Sequence, residues 1–316
     1  MPEKVVSNAY YESIVETSDE WITTRTGIKE RRNVLPGQAL SDLVIPASNN
    51  ALEMAGISAE QLDLIIVGTV SGDMPTPSTA CFVQQGIGAK NAIPFDISAA
   101  CPGFIYAMSI AEKFIQDGSH EYALIVGAEV ISNRLDYEDR GTCVLFGDGA
   151  GAAVVGPSDP DSESRLLSNH LYGDGSLWEL LYLPGGGSRY PASHEMVDAK
   201  LHLLKMKGSE VFKFAVRCMT DVSIEALEHN GFTSDQVDWF IPHQANLRIM
   251  EVVGKRLEIP MEKIIQTVQK YGNTSAATIP VTLDEAVREG RIKRGDLVLA
   301  TSFGAGFTWC SSLFRF

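Results

Sequence analysis

The chain has 316 residues, of which 45% are hydrophobic and 21% are charged, which is ordinary for an α/β protein with a large core. Its formal net charge of −14 argues against a nucleic-acid partner, because like charges repel the phosphate backbone. No apolar run approaches the roughly 18 residues of a membrane span, so no membrane partner is predicted.

Five cysteines are spread along the chain without a Cys-x-x-Cys pair: Cys81, Cys101, Cys143, Cys218 and Cys310. This spacing predicts neither a metal site nor a disulfide framework, and reduced thiols are typical of the cytoplasm. The first residues lack the pattern of a signal peptide, so we expect a cytoplasmic protein.

The predicted elements follow an order that occurs twice. Residues 51–68 and 226–243 are identical at 7 of 18 positions without a gap. Each copy reads as the end of a helix, a Gly stop, a polar turn and a buried strand, at 64–67 and at 239–241. Further apolar strands follow later helices in both halves, at 122–126 and 297–300. Such a repeat indicates a duplicated unit.

The predicted strands are continuous apolar runs, which is typical of parallel strands covered on both faces. Two facing copies predict an α/β fold with two stacked mixed or parallel sheets in a layered αβαβα arrangement. The Pro- and Asp-containing stretch 156–162 is the predicted join, which places an N-terminal domain over 1–157 and a C-terminal domain over 158–316. Residues 173–200 read as a long irregular loop, of the kind used as a lid, a binding loop or an interface.

Cys101 lies in the connection between a predicted strand at 93–97 and a predicted helix at 104–116. Pro102 suits the first turn of that helix. A thiol at this place faces free backbone N–H groups and the positive end of the helix dipole, which favours the thiolate. The alternative is a small buried apolar residue, which is our interpretation of the other four cysteines.

His243 ends the predicted strand at 239–241, and Asn273 stands in a turn that leads into a helix. Ligands meet parallel sheets at the ends of strands. Singly, a buried histidine and a turn asparagine are more often structural. The repeat changes this interpretation, because Asn273 occupies nearly the position that Cys101 occupies in the first half. A twofold arrangement would bring all three residues to one centre.

The strand end at 302–307 is rich in glycine. Glycines there let the backbone approach a substrate closely, and a backbone N–H could serve as an oxyanion donor. The alternative is a tight turn near the C-terminus.

Four short motifs carry a resemblance to a known family: Ala-Ala-Cys-Pro-Gly at 99–103, Pro-His-Gln-Ala-Asn at 242–246, Gly-Asn-Thr-Ser-Ala at 272–276 and Phe-Gly-Ala-Gly-Phe at 303–307. Together with supporting stretches at 17–28 and 139–142, they closely resemble β-ketoacyl-[acyl carrier protein] synthase III over essentially the whole chain. The resemblance implies the duplicated thiolase fold, a homodimer and the first condensation of type II fatty-acid synthesis.

The resemblance implies a role for each residue of the centre. Cys101 would take the acyl group of an acyl-CoA, normally acetyl-CoA. Malonyl-[acyl carrier protein] would then lose CO₂, and its enolate, stabilised by His243 and Asn273, would attack the acyl group to give 3-oxoacyl-[acyl carrier protein]. The N–H groups of Cys101 and Ala305 would form the oxyanion hole, with the other pocket residues around them: Phe303, Gly304, Gly306 and Thr76. The CoA thioester is a substrate, so neither a cofactor nor a metal is expected.

Two sets of binding residues follow from the same resemblance. CoA would be bound by Trp21, Arg25, Arg140 and Asn246, with the adenine sandwiched between Trp21 and Arg140. The acidic carrier protein would be bound by Lys213, Gln244, Arg248, Lys255 and Arg256. The alternative for these basic residues is a solvated helix surface.

The sequence also departs from the family. Family members have an opening β-strand before the position of Met1, so either a sheet edge is exposed here or the chain starts further upstream. Thr76 stands where some relatives carry a bulky aromatic that restricts the acyl pocket across the dimer, and its smaller side chain would permit longer or branched primers.

Other functions stay open from the sequence. A related thiolase-fold acyltransferase, or a starter synthase of secondary metabolism, would use similar residues. A papain-like cysteine protease also uses Cys, His and Asn in this order, but the Cys-Gly-Ser-Cys-Trp signature is absent and the duplication has no place in that fold.

Overall fold

The computed structural model describes residues 1–159 and 161–316. The strands in chain order are β1 (Lys4–Ser7), β2 (Glu30–Asn33), β3 (Leu64–Gly68), β4 (Ile93–Ile97), β5 (Ala123–Glu129), β6 (Gly149–Val155), β7 (Arg165–Gly173), β8 (Leu181–Tyr182), β9 (Lys205–Met206), β10 (Trp239–Pro242), β11 (Leu297–Gly304) and β12 (Thr308–Arg315). The α-helices are α1 (Asn8–Glu12), α2 (Asp19–Thr26), α3 (Leu40–Ala55), α4 (Thr79–Ile87), α5 (Gly103–Gln116), α6 (Arg140–Cys143), α7 (His194–Asp198), α8 (Gly208–His229), α9 (Leu247–Arg256), α10 (Val268–Tyr271) and α11 (Thr278–Arg288). In the described part of the chain, no helix is both long and apolar enough to cross a membrane.

Two four-stranded sheets, one from each half of the chain, form the frame. The first has the order β4-β3-β5-β6, with β3 parallel to β4 and β5 and antiparallel pairing between β5 and β6. The second has the order β10-β11-β12-β7, in which β10 and β11 are parallel and the other pairs are antiparallel. The predicted strands therefore exist, although those at 122–126 and 297–300 extend to 129 and 304.

The layers explain why the central strands are apolar on both faces. In β3, Leu64 and Ile66 belong to the middle core, which also contains residues of α5, α11 and the second sheet. Their neighbours Ile65 and Val67 point the other way, into the core beneath α3 and α4. On the second sheet, Leu299 of β11 packs beneath α8 and α9. The predicted αβαβα arrangement of two mixed sheets is confirmed.

The two sheets differ at both edges, because β4 pairs with β3 while no named strand of the described residues pairs with the outer side of β10. β3, β5 and β6 correspond to β10, β11 and β12, but β12 also pairs with β7 on its outer side. Over residues 1–159 and 161–316, β6 has β5 as its only strand partner, so its outer edge is open. The predicted join at 156–162 follows β6 in the chain and stays a prediction, and its residue 160 lies outside the described residues. The expected irregular loop at 173–200 contains short elements, namely a 3₁₀-helix at Gly175–Leu180, β8 and α7.

The halves touch at a backbone contact that depends on Gly127 of β5. The carbonyl oxygen of Ala276, in the 3₁₀-helix Ser275–Ala277, lies where a Cβ at position 127 would have to be, and the Ala276 carbonyl carbon would be 2.8 Å from it. The obstructing atoms are backbone, which cannot rotate away as a side chain would. The glycine thus lets the turn that follows Asn273 lie directly against the first sheet.

We predict that Gly127→Ala lowers the free energy of unfolding by about 1–3 kcal/mol, the usual cost of overpacking a close-packed interior. Gly187→Ala is the matched control, because no atom lies within 4 Å of the Cβ that it would add. Urea or thermal unfolding of both variants measures the difference. Equal stability of the two variants would show that the backbone contact is looser than described.

Candidate active site

A cavity of about 760 Å³ connects exposed cationic side chains with three buried polar groups. Arg25, Lys213 and Arg248 lie at its exposed end. Cys101, His243 and Asn273 also line it, and their exposed fractions are only 6%, 3% and 6%. The three residues that the repeat predicted to meet therefore share one cavity.

Cys101 lies two residues before the start of α5, as predicted. Ala100 before it has a left-handed backbone with φ of 49°. Burial raises the pKa of the Cys101 thiol to about 12, so burial opposes the thiolate that the helix start is expected to favour. The dipole of α5 favours the thiolate, but the desolvation of a buried charge opposes it and is the larger effect.

His243 follows β10 and is held through its Nδ1 atom. Nδ1 lies 2.7 Å from the Thr278 hydroxyl oxygen, which is also 3.0 Å from the Ser275 carbonyl oxygen. Burial lowers the pKa of His243 to about 3, so the ring is neutral. The Thr278 hydroxyl donates to the Ser275 carbonyl, so in this geometry the Nδ1–H group donates to the hydroxyl oxygen. The ring hydrogen is on Nε2 only when the hydroxyl turns to donate to Nδ1.

Asn273 is oriented by its own turn. Its Oδ1 accepts a hydrogen bond of 2.8 Å from the Ser275 N–H, and its backbone N–H donates to the Leu145 carbonyl at 2.9 Å. The Nδ2 amide makes no hydrogen bond to any described residue and belongs to a side chain that lines the cavity. The side chain therefore presents a hydrogen-bond donor rather than an acceptor.

The glycine-rich strand end packs directly on the cysteine. A Cβ at Gly304 would lie 2.8 Å from the Cys101 backbone nitrogen, and one at Gly306, where φ is 142°, would lie 2.9 Å from the Thr308 nitrogen. Phe303 is buried and lines the cavity. The N–H groups of Cys101 and Ala305 donate to no acceptor in the described ranges, so both remain free for a ligand.

Three predicted CoA residues, Trp21, Arg25 and Asn246, line the cavity, and Arg140 lies against Trp21. The guanidinium groups of Arg140 and Arg25 are 4.6 Å and 4.9 Å from the ring centroid of Trp21. At this distance Arg140 touches the indole and leaves no room for another ring between them. Asn246 lines the cavity and caps α9, where its side chain accepts a hydrogen bond of 2.9 Å from the Arg248 N–H.

The predicted carrier-protein residues separate into two groups. Lys213 and Arg248 are exposed and line the cavity, and Lys255 and Arg256 are exposed in the last turn of α9. Gln244 is different, because its exposed fraction is 1%.

The prediction for Gln244 was wrong. Its amide nitrogen donates to the carbonyl oxygens of Pro242 and Ile265, and its oxygen accepts from the N–H groups of Thr267 and Val268. A side chain with all of these partners inside the protein cannot contact another protein. It joins β10 to the segment before α10.

Thr76 does not line the cavity in the single chain. It is exposed in the loop between β3 and α4, so any effect on the acyl pocket would have to act across an interface with a second copy.

Comparison with known proteins places this site in a family. A family model described as 3-oxoacyl-[acyl-carrier-protein] synthase III matches residues 95–175, and the model of its C-terminal part matches residues 227–316. A β-ketoacyl-[acyl-carrier-protein] synthase III of Caldanaerobacter subterraneus is 53% identical over 100% of this chain and 95% of its own length. The chain belongs to the 3-oxoacyl-[acyl-carrier-protein] synthase III family.

Solved structures agree with this membership. The 3-oxoacyl-[acyl-carrier-protein] synthase III of Aquifex aeolicus is 48% identical, with a TM-score of 0.92 over 100% of this chain and 97% of its own. The priming β-ketosynthase of the R1128 polyketide pathway is 35% identical, with a TM-score of 0.91 over 99% of this chain and 93% of its own. This synthase III family member is thus a condensing acyltransferase of fatty-acid synthesis with the thiolase fold, and a papain-like protease is excluded.

Sequence reasoning missed two polar residues near this site. Thr278 holds the ring of His243, and Glu129 is a fully buried carboxylate at the end of β5. An acidic residue that ends an apolar strand is a signal that could have identified Glu129. Thr278 has no such signal, because threonine is common at the start of a helix.

We predict that Gln244→Ala acts on stability and not on carrier-protein binding. The variant leaves several buried backbone groups unpaired, at a cost of about 1–3 kcal/mol for each unsatisfied group. Denaturant unfolding should show the loss, while the KM for the carrier-protein substrate stays near the wild-type value. Lys213→Ala, at an exposed residue, should leave the unfolding transition unchanged. A raised KM with unchanged stability in Gln244→Ala would restore the carrier-protein role.

Proposed function

We propose that the protein condenses an acyl-CoA, acetyl-CoA in the simplest case, with malonyl-[acyl carrier protein]. The products are 3-oxoacyl-[acyl carrier protein], CoA and CO₂, and the reaction starts type II fatty-acid synthesis. The observation that carries the proposal is the meeting, in one buried cavity, of a thiol with a neutral imidazole and a free carboxamide donor.

The first half-reaction forms an acyl-enzyme. The Cys101 sulfur attacks the thioester carbonyl, the C–S bond to CoA breaks, and CoA leaves as a thiolate that takes its proton from water. The oxygen of the tetrahedral intermediate is placed between the free N–H groups of Cys101 and Ala305, which the contact of Gly304 with the Cys101 backbone brings together. Sulfur is a suitable nucleophile, because the new acyl bond is again a thioester and remains reactive.

The second half-reaction needs hydrogen-bond donors. Loss of CO₂ from the malonyl group moves the bonding electron pair onto the thioester oxygen as an enolate. Asn273 Nδ2 and His243 Nε2 donate to this oxygen. The low pKa of His243 keeps it neutral. Donation from Nε2 requires the Thr278 hydroxyl to turn from the Ser275 carbonyl to Nδ1, which places the ring hydrogen on Nε2. The enolate carbon then attacks the acyl group and releases the Cys101 sulfur.

The exposed end of the cavity suits the CoA thioester. The cations Arg25, Lys213 and Arg248 favour phosphates, and an indole offers a face for stacking on adenine. Because Arg140 touches Trp21, an entering adenine must displace the guanidinium from the ring. Asn246 stays on the cavity wall as the cap of α9.

A local cationic surface suits the carrier protein on a chain of net charge −14. Lys213 and Arg248 flank the cavity, and Lys255 and Arg256 continue the same surface along α9. Such a surface would steer an acidic protein so that its attached malonyl group faces the entrance.

A homodimer through β4 is part of the proposal. β4 is an edge strand whose Ile93 is 52% exposed, and the nearby loop exposes Val70 and Met74 by 42% and 46%. A second copy would cover these apolar side chains and the free strand edge. The loop also carries Thr76, which would then lie at the interface.

The test is an assay of both half-reactions with labelled acyl-CoA and labelled malonyl-[acyl carrier protein]. We expect acyl transfer to the enzyme, malonyl-dependent CO₂ release and a 3-oxoacyl product. His243→Ala should slow CO₂ release about 10²–10³-fold, as for removal of an oxyanion donor, and leave acyl transfer nearly unchanged. The control is His194→Ala, in exposed α7, which should behave as wild type.

Two outcomes would reject the proposal. Acyl transfer without malonyl-dependent CO₂ would indicate a simple acyltransferase. Equal loss of both half-reactions in His243→Ala would contradict its role as a donor to the enolate. A strong preference for long or branched acyl-CoA over acetyl-CoA would instead favour a starter synthase of another pathway.

A further inference from the structure

Glu129 is a buried carboxylate with no cationic partner. Its exposed fraction is 0%, and in residues 1–159 and 161–316 no ion pair involves it. It accepts hydrogen bonds from the hydroxyl groups of Ser71 and Thr69 and from the Val70 N–H. A further hydroxyl, of Ser275, lies 3.2 Å from its Oε1 atom. Burying a charge costs free energy. At Glu129 hydrogen bonds, and no ion pair among the described residues, offset that cost.

Ser275 connects this carboxylate with the nucleophile. Its Oγ lies 3.2 Å from Glu129 Oε1 and 3.5 Å from Cys101 Sγ. A hydroxyl has one hydrogen, so it cannot donate to both neighbours at once. The hydroxyl is placed to donate to either Cys101 Sγ or Glu129 Oε1. When it donates to Glu129, its oxygen can accept from the thiol, which gives a chain from Cys101 through Ser275 to Glu129.

The backbone holds Ser275 in this bridging position. Its φ is 52°, in the left-handed region that a residue with a side chain rarely adopts, and its N–H is fixed on Asn273 Oδ1. The next residue, Ala276, is pressed against Gly127 of β5. The hydroxyl is therefore delivered from the second half of the chain to two groups of the first half.

The proposed reaction requires Cys101 to lose a proton. A histidine, the usual base beside a catalytic cysteine, is not placed to accept it here. His243 is neutral, faces Thr278 with its Nδ1 atom and makes no hydrogen bond to Cys101 among the described residues. Burial holds the pKa of Cys310 well above its ordinary value, so that thiol is no base at neutral pH. Asp148, near Glu129, already accepts from the Ser132 hydroxyl and from backbone N–H groups.

We propose, resting on the proposed function, that Glu129 accepts the proton of Cys101 through the Ser275 hydroxyl. The S–H bond of Cys101 breaks as an O–H bond forms at Ser275, and the original Ser275 O–H bond breaks as an O–H bond forms at Glu129. The products are a thiolate and a neutral carboxylic acid. When carbon–carbon bond formation later releases the Cys101 thiolate, the same chain returns the proton.

The physical advantage of this transfer is that the number of buried negative charges stays the same. Ionising Cys101 beside an ionised Glu129 would put two negative charges in one dry site. The transfer moves one existing negative charge from Glu129 to Cys101 and creates none. The burial that disfavours a thiolate also raises the pKa of Glu129 to about 7, which makes this carboxylate a stronger base.

The alternative role of Glu129 is structural, as an anchor for the loop at 69–71. Ser71 separates the two roles, because it donates to Glu129 on the side away from Cys101 and also accepts from the Val130 N–H. Ser71→Ala weakens the anchor and leaves the chain from Cys101 through Ser275 to Glu129 intact.

The experiment follows alkylation of Cys101 by iodoacetamide between pH 5 and 10, without substrates, in wild type, Glu129→Gln, Ser275→Ala and Ser71→Ala. In the wild type the thiolate–acid pair carries the same charge as the thiol–carboxylate pair. Alkylation should therefore rise as Glu129 ionises, near pH 7, and then stay level. Glu129→Gln and Ser275→Ala should lose this plateau and react about 10²-fold more slowly at pH 8. Ser71→Ala removes a donor to the carboxylate, which raises its pKa, so the plateau should remain but begin at higher pH.

A wild-type pH profile of alkylation in Glu129→Gln would overturn the proposal. An equal loss of the plateau in Ser71→Ala would also overturn it, because it would show that Glu129 only anchors the loop at 69–71. If Glu129→Gln does not fold, Ser275→Ala decides the question, because it breaks the chain and leaves the carboxylate. Failure of the proposed function is distinguishable: a plateau in a protein that never releases CO₂ from malonyl-[acyl carrier protein] rejects that function alone.

Discussion

The site depends on backbone contacts that leave no room for a Cβ. The Ala276 carbonyl occupies the space beside Gly127, and Gly304 lies against the backbone of Cys101. Each contact joins one half of the duplicated chain to the other. Because the halves approach this closely, a cysteine from the first half and an asparagine from the second can share one cavity. The duplication thus supplies two similar helix starts, and the glycines allow them to meet.

Burial at this junction decides the protonation states. Desolvation disfavours charge, so it raises the pKa of Cys101 and lowers that of His243. In the proposed condensation the effect on the imidazole is useful, because a neutral ring would donate to the enolate without giving up a proton. For the thiol the effect is a cost, since the nucleophile must ionise. In the proposed transfer, Glu129 takes the thiol proton through Ser275, so no second buried charge is created.

The layered fold and the meeting of the site residues could largely be predicted from the sequence, because both follow from local patterns. The repeat of helix, Gly stop and apolar strand predicted the stacked sheets, and it predicted that Asn273 lies opposite Cys101. The thiol state of Cys101, the enclosure of Gln244 and the bridge at Ser275 could not be predicted, because each depends on contacts between distant segments. Gln244, for example, follows a strand end just as His243 does, yet its amide is enclosed by the segment before α10.

Intact-mass analysis with peptide mapping, after incubation with acetyl-CoA, tests the central claim most directly. The account predicts one acetyl group on the peptide that contains Cys101, lost when malonyl-[acyl carrier protein] is added. Acetylation of another residue, or an adduct on Cys101 that malonyl-[acyl carrier protein] leaves in place, would contradict a shared cavity in which both halves of the chain perform one condensation.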